Sequence, residues 1–242
     1  MKATNTSYSL NDSIQRIDEI LNTDSKCYEE SKSIPSRDRL TYTNGFYVNC
    51  TAIFVDICDS SGLTNVHERP VLAKIYRSFI SEMVAMFNSF DQCREISING
   101  DCVWCVFDTP YKSDVDDAFN AACTANALIN ILNFKLEKKG YQTYDANIGM
   151  DYGRALMHKA GYKGSQINDV IWMGDVVNSA CHLCNEDRGI FGKRIFLSET
   201  IYNNLNDDNK GFCDKFNDSI FHSSAVNAEM DDWLESQNNR GK

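Results

Sequence analysis

The sequence is poor in proline, with three in 242 residues. It also has no apolar run near the roughly 18 residues that a membrane span requires. The first shortage, with 43% hydrophobic residues, leaves the chain free to build a substantial core. The second argues against a helical membrane protein. Met1 to Ile20 contains no continuous apolar stretch, so no secretory leader is expected and the cytoplasm is the expected compartment. Neither a Walker-type loop nor Gly-x-Gly-x-x-Gly is present, which removes support for P-loop kinases and dinucleotide enzymes. Positive charge is short as well: 24 Lys and Arg stand against 34 Asp and Glu, for a net charge of −10. A protein that coats nucleic acid usually shows a basic face, so nucleic-acid binding is not expected. A phosphorylated substrate remains compatible, because a bound divalent cation supplies positive charge locally.

Cysteine, by contrast, is plentiful, with ten residues. Cys50, Cys58, Cys102 and Cys105 fall in or beside expected strands, and Cys123 and Cys181 in expected helices. They read as small buried hydrophobes in a reducing compartment rather than as a disulfide framework. The one Cys-x-x-Cys, Cys181 to Cys184, lies in a helical pattern with no second pair, so zinc is not the favoured reading.

The pattern along the chain is α+β. Residues 1–43 form a polar extension with a short amphipathic helix over about 11–21, either a docking arm on the same domain or a dimer contact. Residues 44–210 form the main domain, with a turn at Asn44-Gly45 and a first strand over 50–57. A long helix follows over about 70–90, where Leu72, Ile75, Phe79, Met83 and Phe87 recur at helical spacing. Strands over 95–99 and 102–107 flank a tight turn at Gly100-Asp101. A second long helix is expected over 113–138, capped by Ser113 and Asp114. A hairpin around Tyr152-Gly153 is expected over 144–159, then a polar loop over 160–170. A helix over 174–185, a strand over 194–197 and a short helix opening at Ser198 complete the domain. Residues 211–242 read as a polar, acidic tail, with a possible short helix near Trp233. The order suggests a mostly antiparallel sheet with helices on one face.

Two aspartates stand out. Asp56 ends an apolar strand, Phe54-Val55-Asp56-Ile57, and Asp101 sits in the turn Asn99-Gly100-Asp101. Carboxylates at strand ends are poor core material but good ligands for hard cations. Each alone is ordinary turn chemistry; on neighbouring strands the pair suits two-metal phosphoryl or nucleotidyl transfer. After Asp56 comes a small-residue loop, Asp59-Ser60-Ser61-Gly62, whose backbone N–H groups could receive polyphosphate oxygens. Gly174-Asp175-Val176-Val177-Asn178 opens the later helix. There Asn178 and His182 share a face.

This ordered set resembles the motifs of class III nucleotide cyclases over about residues 48–205. The resemblance implies a ferredoxin-like βαββαβ fold and a homodimer with active sites at the interface. It implies that Asp56 and Asp101, with the Ile57 carbonyl, bind two Mg²⁺ or Mn²⁺ ions. Phe54, Ser60 and Ser61 would contact substrate, and Asn178 of the other subunit would orient the ribose. His182 stands where the family places a transition-state arginine. Ser97 and Ile171 stand at the two base-reading positions. A serine and an isoleucine cannot reproduce the Lys/Asp or Glu/Cys pairs by which purine cyclases read adenine or guanine.

Further stretches resemble the Pycsar-type pyrimidine cyclases of bacterial antiphage defence. These are Pro35 to Thr41, Asn44 to Asn49, Gly100 to Trp104, Tyr152 to Met157, Lys159 to Gly164 and Ile167 to Gly174. They imply conversion of UTP or CTP to its 3′,5′-cyclic monophosphate, a product that would act on a separate effector. A purine cyclase and a non-catalytic nucleotide-binding homologue remain the alternatives. Ser97 can donate or accept a hydrogen bond, so it does not separate UTP from CTP.

Overall fold

The structure, a computed structural model, describes residues 2–185 and 193–240. In chain order its elements are α1 (Leu10–Leu21), β1 (Tyr28–Glu30), β2 (Gly45–Ile57), α2 (Ser60–Val66), α3 (Arg69–Phe87), β3 (Cys93–Asn99) and β4 (Cys102–Asp108). They continue with α4 (Lys112–Glu137), β5 (Ala146–Tyr162), β6 (Ile167–Met173), α5 (Asp175–Asn185), β7 (Ile195–Ser198), α6 (Glu199–Asn204), α7 (Asp207–Lys210), β8 (Cys213–Lys215), β9 (Ile220–Ser223) and α8 (Ala228–Arg240). Among the described residues these strands make one nine-stranded sheet with the path β3-β4-β2-β5-β7-β9-β8. The first four neighbours are all antiparallel. They are the strand order that a βαββαβ unit produces, so the expected α+β fold is what the chain adopts.

β2 is the keel, and its side chains alternate between two cores as strand geometry requires. Ile53, Val55 and Ile57 point into one with Ile75, Phe79, Met83 and Phe87 of α3 and much of α4. Cys50, Ala52 and Phe54 point into the other with Val176, Ala180 and Cys184 of α5. Helices therefore cover both faces, not the single face expected. α5 was placed correctly in sequence, but its apolar stripe does not itself say which face it covers.

The expected hairpin over 144–159 is a single strand. Tyr152 and Gly153 lie inside the β2–β5 ladder, opposite Thr51 and Cys50. Gly153 makes no turn: a Cβ there would stand 3.4 Å from Val176 Cβ. That is ordinary contact distance, so Gly153 simply lies under α5 within the ladder. The true hairpin joins β5 to β6, with Tyr162 opposite Ile167, so the expected loop over 160–170 is mostly ladder. The long helix starting at Lys112 takes one of its two expected caps: Asp114 accepts from the Tyr111 N–H at 2.8 Å.

The C-terminal segment is not a free tail over its described part. β9 pairs antiparallel with β7, Asn126 of α4 donates to the Ala225 carbonyl at 2.9 Å, and Trp233 meets Phe134 edge-on at 6.1 Å. At the other end, α1 buries none of its residues. Leu10, Ile14, Ile17 and Leu21 are all exposed, so its apolar face is not packed into its own domain, while Arg16 lies over the Tyr162 ring at 4.9 Å. No helix among the described residues is long and apolar enough to cross a membrane.

Candidate active site

Antiparallel pairing of β2 and β4 sets Asp56 opposite Cys102. Asp101 immediately precedes Cys102 in the β3–β4 turn, so the two carboxylates are neighbours. Asp56 is half-buried. Its carboxyl is pushed up to about 6, by burial first and by the negative charge of Asp101 second, against a backbone hydrogen bond from Ile57. Its Oδ1 is buried with no hydrogen-bond partner. A stranded carboxylate oxygen beside a second carboxylate is costly as it stands and fits a hard cation. Among the described residues no group of three or more His, Cys, Asp or Glu is arranged so that it could hold a metal ion by itself. A cation here would take its remaining ligands from backbone, such as the Ile57 carbonyl, and from substrate oxygens.

The thiols around this pair hold their protons. Burial, then Asp56, pushes Cys102 up to about 12, and burial raises Cys181 and Cys184 as well. Cys184 donates to the Asn147 carbonyl at 3.2 Å. Cys184 packs in the core under α5, and Cys181 lies partly buried at its edge.

Phe54 is buried and stacks on Trp104, with ring centroids 5.0 Å apart and planes 3° from parallel. Its ring is a wall beside Asp56. The turn after β2 passes through Asp59 at φ 46° into Ser60 and Ser61. Ser61 donates to Asp59 Oδ1 at 3.1 Å, and the Ser60 carbonyl accepts from Tyr76 at 3.4 Å.

Asn178 and His182 lie elsewhere. α5 rests on the sheet through Val176, Ala180 and Cys184, leaving both residues on its outer, exposed face. The contact is close at Gly149, where a Cβ would stand 2.2 Å from the Ala180 carbonyl oxygen and 2.3 Å from the Cys184 nitrogen. Asn178 and His182 therefore lie on the side of α5 opposite the residues that pack on the sheet. Ser97 is half-buried on β3 opposite Trp104, and Ile171 is exposed on β6 opposite His158.

One connection escaped the sequence reading. Glu95, two residues before Ser97, is 6% exposed. Arg37 grips it through Nε at 2.8 and 3.0 Å and through Nη2. Arg37 Nη1 also lies 3.5 Å from Oδ1 of Asp169, two residues before Ile171. The signal was a carboxylate in the alternating run Glu95-Ile96-Ser97-Ile98, placed where only a paired charge is tolerated.

Residues 43–228 match the family described as the adenylate and guanylate cyclase catalytic domain. A uridylate cyclase of Gulbenkiania mobilis is 47% identical over 191 residues, covering 76% of this chain and 74% of the relative. A uridylate cyclase of Treponema porcinum is 36% identical over 225 residues, covering 91% and 78%. Among solved structures, the adenylyl cyclase CyaB of P. aeruginosa superposes with a TM-score of 0.64 at 18% identity, covering 76% of this chain and 98% of that one. A class III adenylyl cyclase-like ATP-binding protein of Pseudomonas aeruginosa reaches 0.71 at 17% identity, covering 94% and 50%. At those identities the structural likeness speaks for the fold.

Proposed function

The chain belongs to the adenylate and guanylate cyclase catalytic domain family and is a nucleotide cyclase, and from that premise we propose that its substrate is a pyrimidine nucleoside triphosphate, UTP or CTP. The product would be the 3′,5′-cyclic monophosphate, with pyrophosphate leaving. The observation that carries the chemistry is the buried, unpartnered Oδ1 of Asp56 beside Asp101. The substrate rests on the absence of a purine-reading pair at Ser97 and Ile171 and on the names of the two relatives, which favour UTP.

Asp56, Asp101 and the Ile57 carbonyl would hold two Mg²⁺ or Mn²⁺ ions. Such ions supply Lewis acidity to the 3′-hydroxyl and charge neutralisation to the triphosphate. Residues 57–61 receive the β- and γ-phosphates, with Ser60 and Ser61 at their edge. The Phe54–Trp104 stack keeps water from one side of the carboxylates. The outward face of α5 serves the site of a second subunit, where Asn178 orients the ribose for in-line attack on the α-phosphorus. His182 donates to the phosphate there. The catalytic unit in this reading is 44–210, with 1–43 as an extension. The likeness to Pycsar-type cyclases supports a cytoplasmic alarm signal, read by a separate effector during phage infection.

The test is turnover of each of the four common nucleoside triphosphates by purified protein with Mn²⁺. Cyclic UMP or cyclic CMP is expected. Product from ATP or GTP alone refutes the pyrimidine assignment. For the defence role, cells carrying the gene and its effector should survive phage better than cells carrying Asp56→Ala; equal survival sinks that role.

A further inference from the structure

Ser97 and Ile171, taken as the base-reading positions proposed above, leave a gap. The serine hydroxyl both donates and accepts, so it satisfies either pyrimidine. The isoleucine offers no polar atom. Uracil presents a carbonyl at O4, and cytosine presents an amino group at the same edge. Something else must tell them apart if the enzyme is to choose.

Arg37 is placed to do so. On a strand, residues two apart share a face about 7 Å apart. Glu95 therefore shares a face with Ser97, and Asp169 shares one with Ile171. The guanidinium that binds both carboxylates is thereby anchored one such repeat from each base-reading position. Glu95 is buried and holds Nε and Nη2, which fixes the plane of the group. A guanidinium carries five N–H donors. Two go to Glu95 and one faces Asp169, which leaves one on each terminal nitrogen. The side chain is 55% exposed, so that remaining edge is open to a ligand.

We propose that Arg37 is a specificity-determining residue, its free guanidinium edge donating to the carbonyl edge of uracil and thereby selecting UTP over CTP. With cytosine the same donors would face an amino group, two N–H groups without an acceptor, and binding would suffer twice. Lysine cannot substitute, because it lacks the rigid two-donor fork and would not be held flat by Glu95. The segment from Pro35 to Leu40 thus belongs to the substrate pocket.

The experiment measures kcat/KM for UTP and for CTP, with Mn²⁺, on wild type, Arg37→Lys, Arg37→Gln and Glu95→Gln. Thermal melts check that each variant is folded. The wild type should prefer UTP. Arg37→Lys, which keeps the charge, should lower the UTP-to-CTP ratio about tenfold, the usual worth of a two-donor contact to a base edge. Glu95→Gln should lower it less. A merely structural arginine predicts the reverse: both rates fall together and the ratio holds, which would overturn the proposal. A wild type that prefers CTP would overturn it too. A wild type that cyclises only purines would bring down the pyrimidine reading itself, a result visible before any variant is made.

Discussion

Under the proposed function a divalent cation would compete with a proton for the same oxygen at Asp56. In the metal-free protein the proton has the advantage, because burial and the nearby Asp101 lift the carboxyl from 3.8 to about 6. The folded form therefore binds this proton more tightly than the unfolded chain does. Its contribution to stability is present below the unfolded value and is lost as pH rises through about 6. Thermal melts in a chelator should show the wild type gaining stability as pH falls from 7 towards 4. Asp56→Asn should flatten that segment of the curve. With metal and substrate present, Asp56→Ala and Asp101→Ala should each lower turnover on the order of 10²-fold or more while the melting temperature at neutral pH stays within a few degrees. Unfolding of both variants would instead make the pair structural. These aspartates were legible in the sequence because a strand end betrays a carboxylate. Arg37 was not, since its partners Glu95 and Asp169 lie 58 and 132 positions away in the chain, and only the folded sheet brings them together.

At the scale of elements, α5 depends on having almost nothing beneath it. Gly149 lets the helix backbone sit directly on β5. Gly149→Ala should force the helix to lift, costing about 1–3 kcal/mol as overpacking does. It should also reduce turnover, because Asn178 rides on that helix. A Gly149→Ala protein with unchanged melting temperature and activity would contradict this seating. The expected hairpin at Tyr152-Gly153 differs for a related reason, the long ladder with β2. A glycine after an aromatic residue signals a turn locally, and nothing in Tyr152-Gly153 reveals that the ladder will run through that spot. β3, β4 and α3 were legible because their apolar spacing and the Gly100-Asp101 turn agree. α5 was legible as a helix but not as to the face it covers.

For the molecule as a whole, the proposed function divides one reaction between two chains. Asp56→Ala and Asn178→Ala should each be nearly inactive alone. Mixed and allowed to exchange subunits, they should recover roughly a quarter of wild-type activity, since half the random dimers carry one intact site of two. No recovery after proven exchange would place both residues in one chain's site. The ordered motifs, through their resemblance to class III nucleotide cyclases, were enough to anticipate the nucleotide chemistry. They were not enough to place the C-terminal strands and helix, whose polar, acidic sequence hides a few anchoring contacts such as Trp233 on Phe134. α5 itself carries a consequence for kinetics. Its inner side reaches the Asp56 environment through Cys181, and its outer side bears Asn178. In a dimer each such rod would touch its own cation pair and its neighbour's ribose. Should occupancy of one centre move α5, the affinity of the other would change with it, and substrate saturation curves would depart from a simple hyperbola, with a Hill coefficient other than one; a hyperbola would show that the two centres act independently.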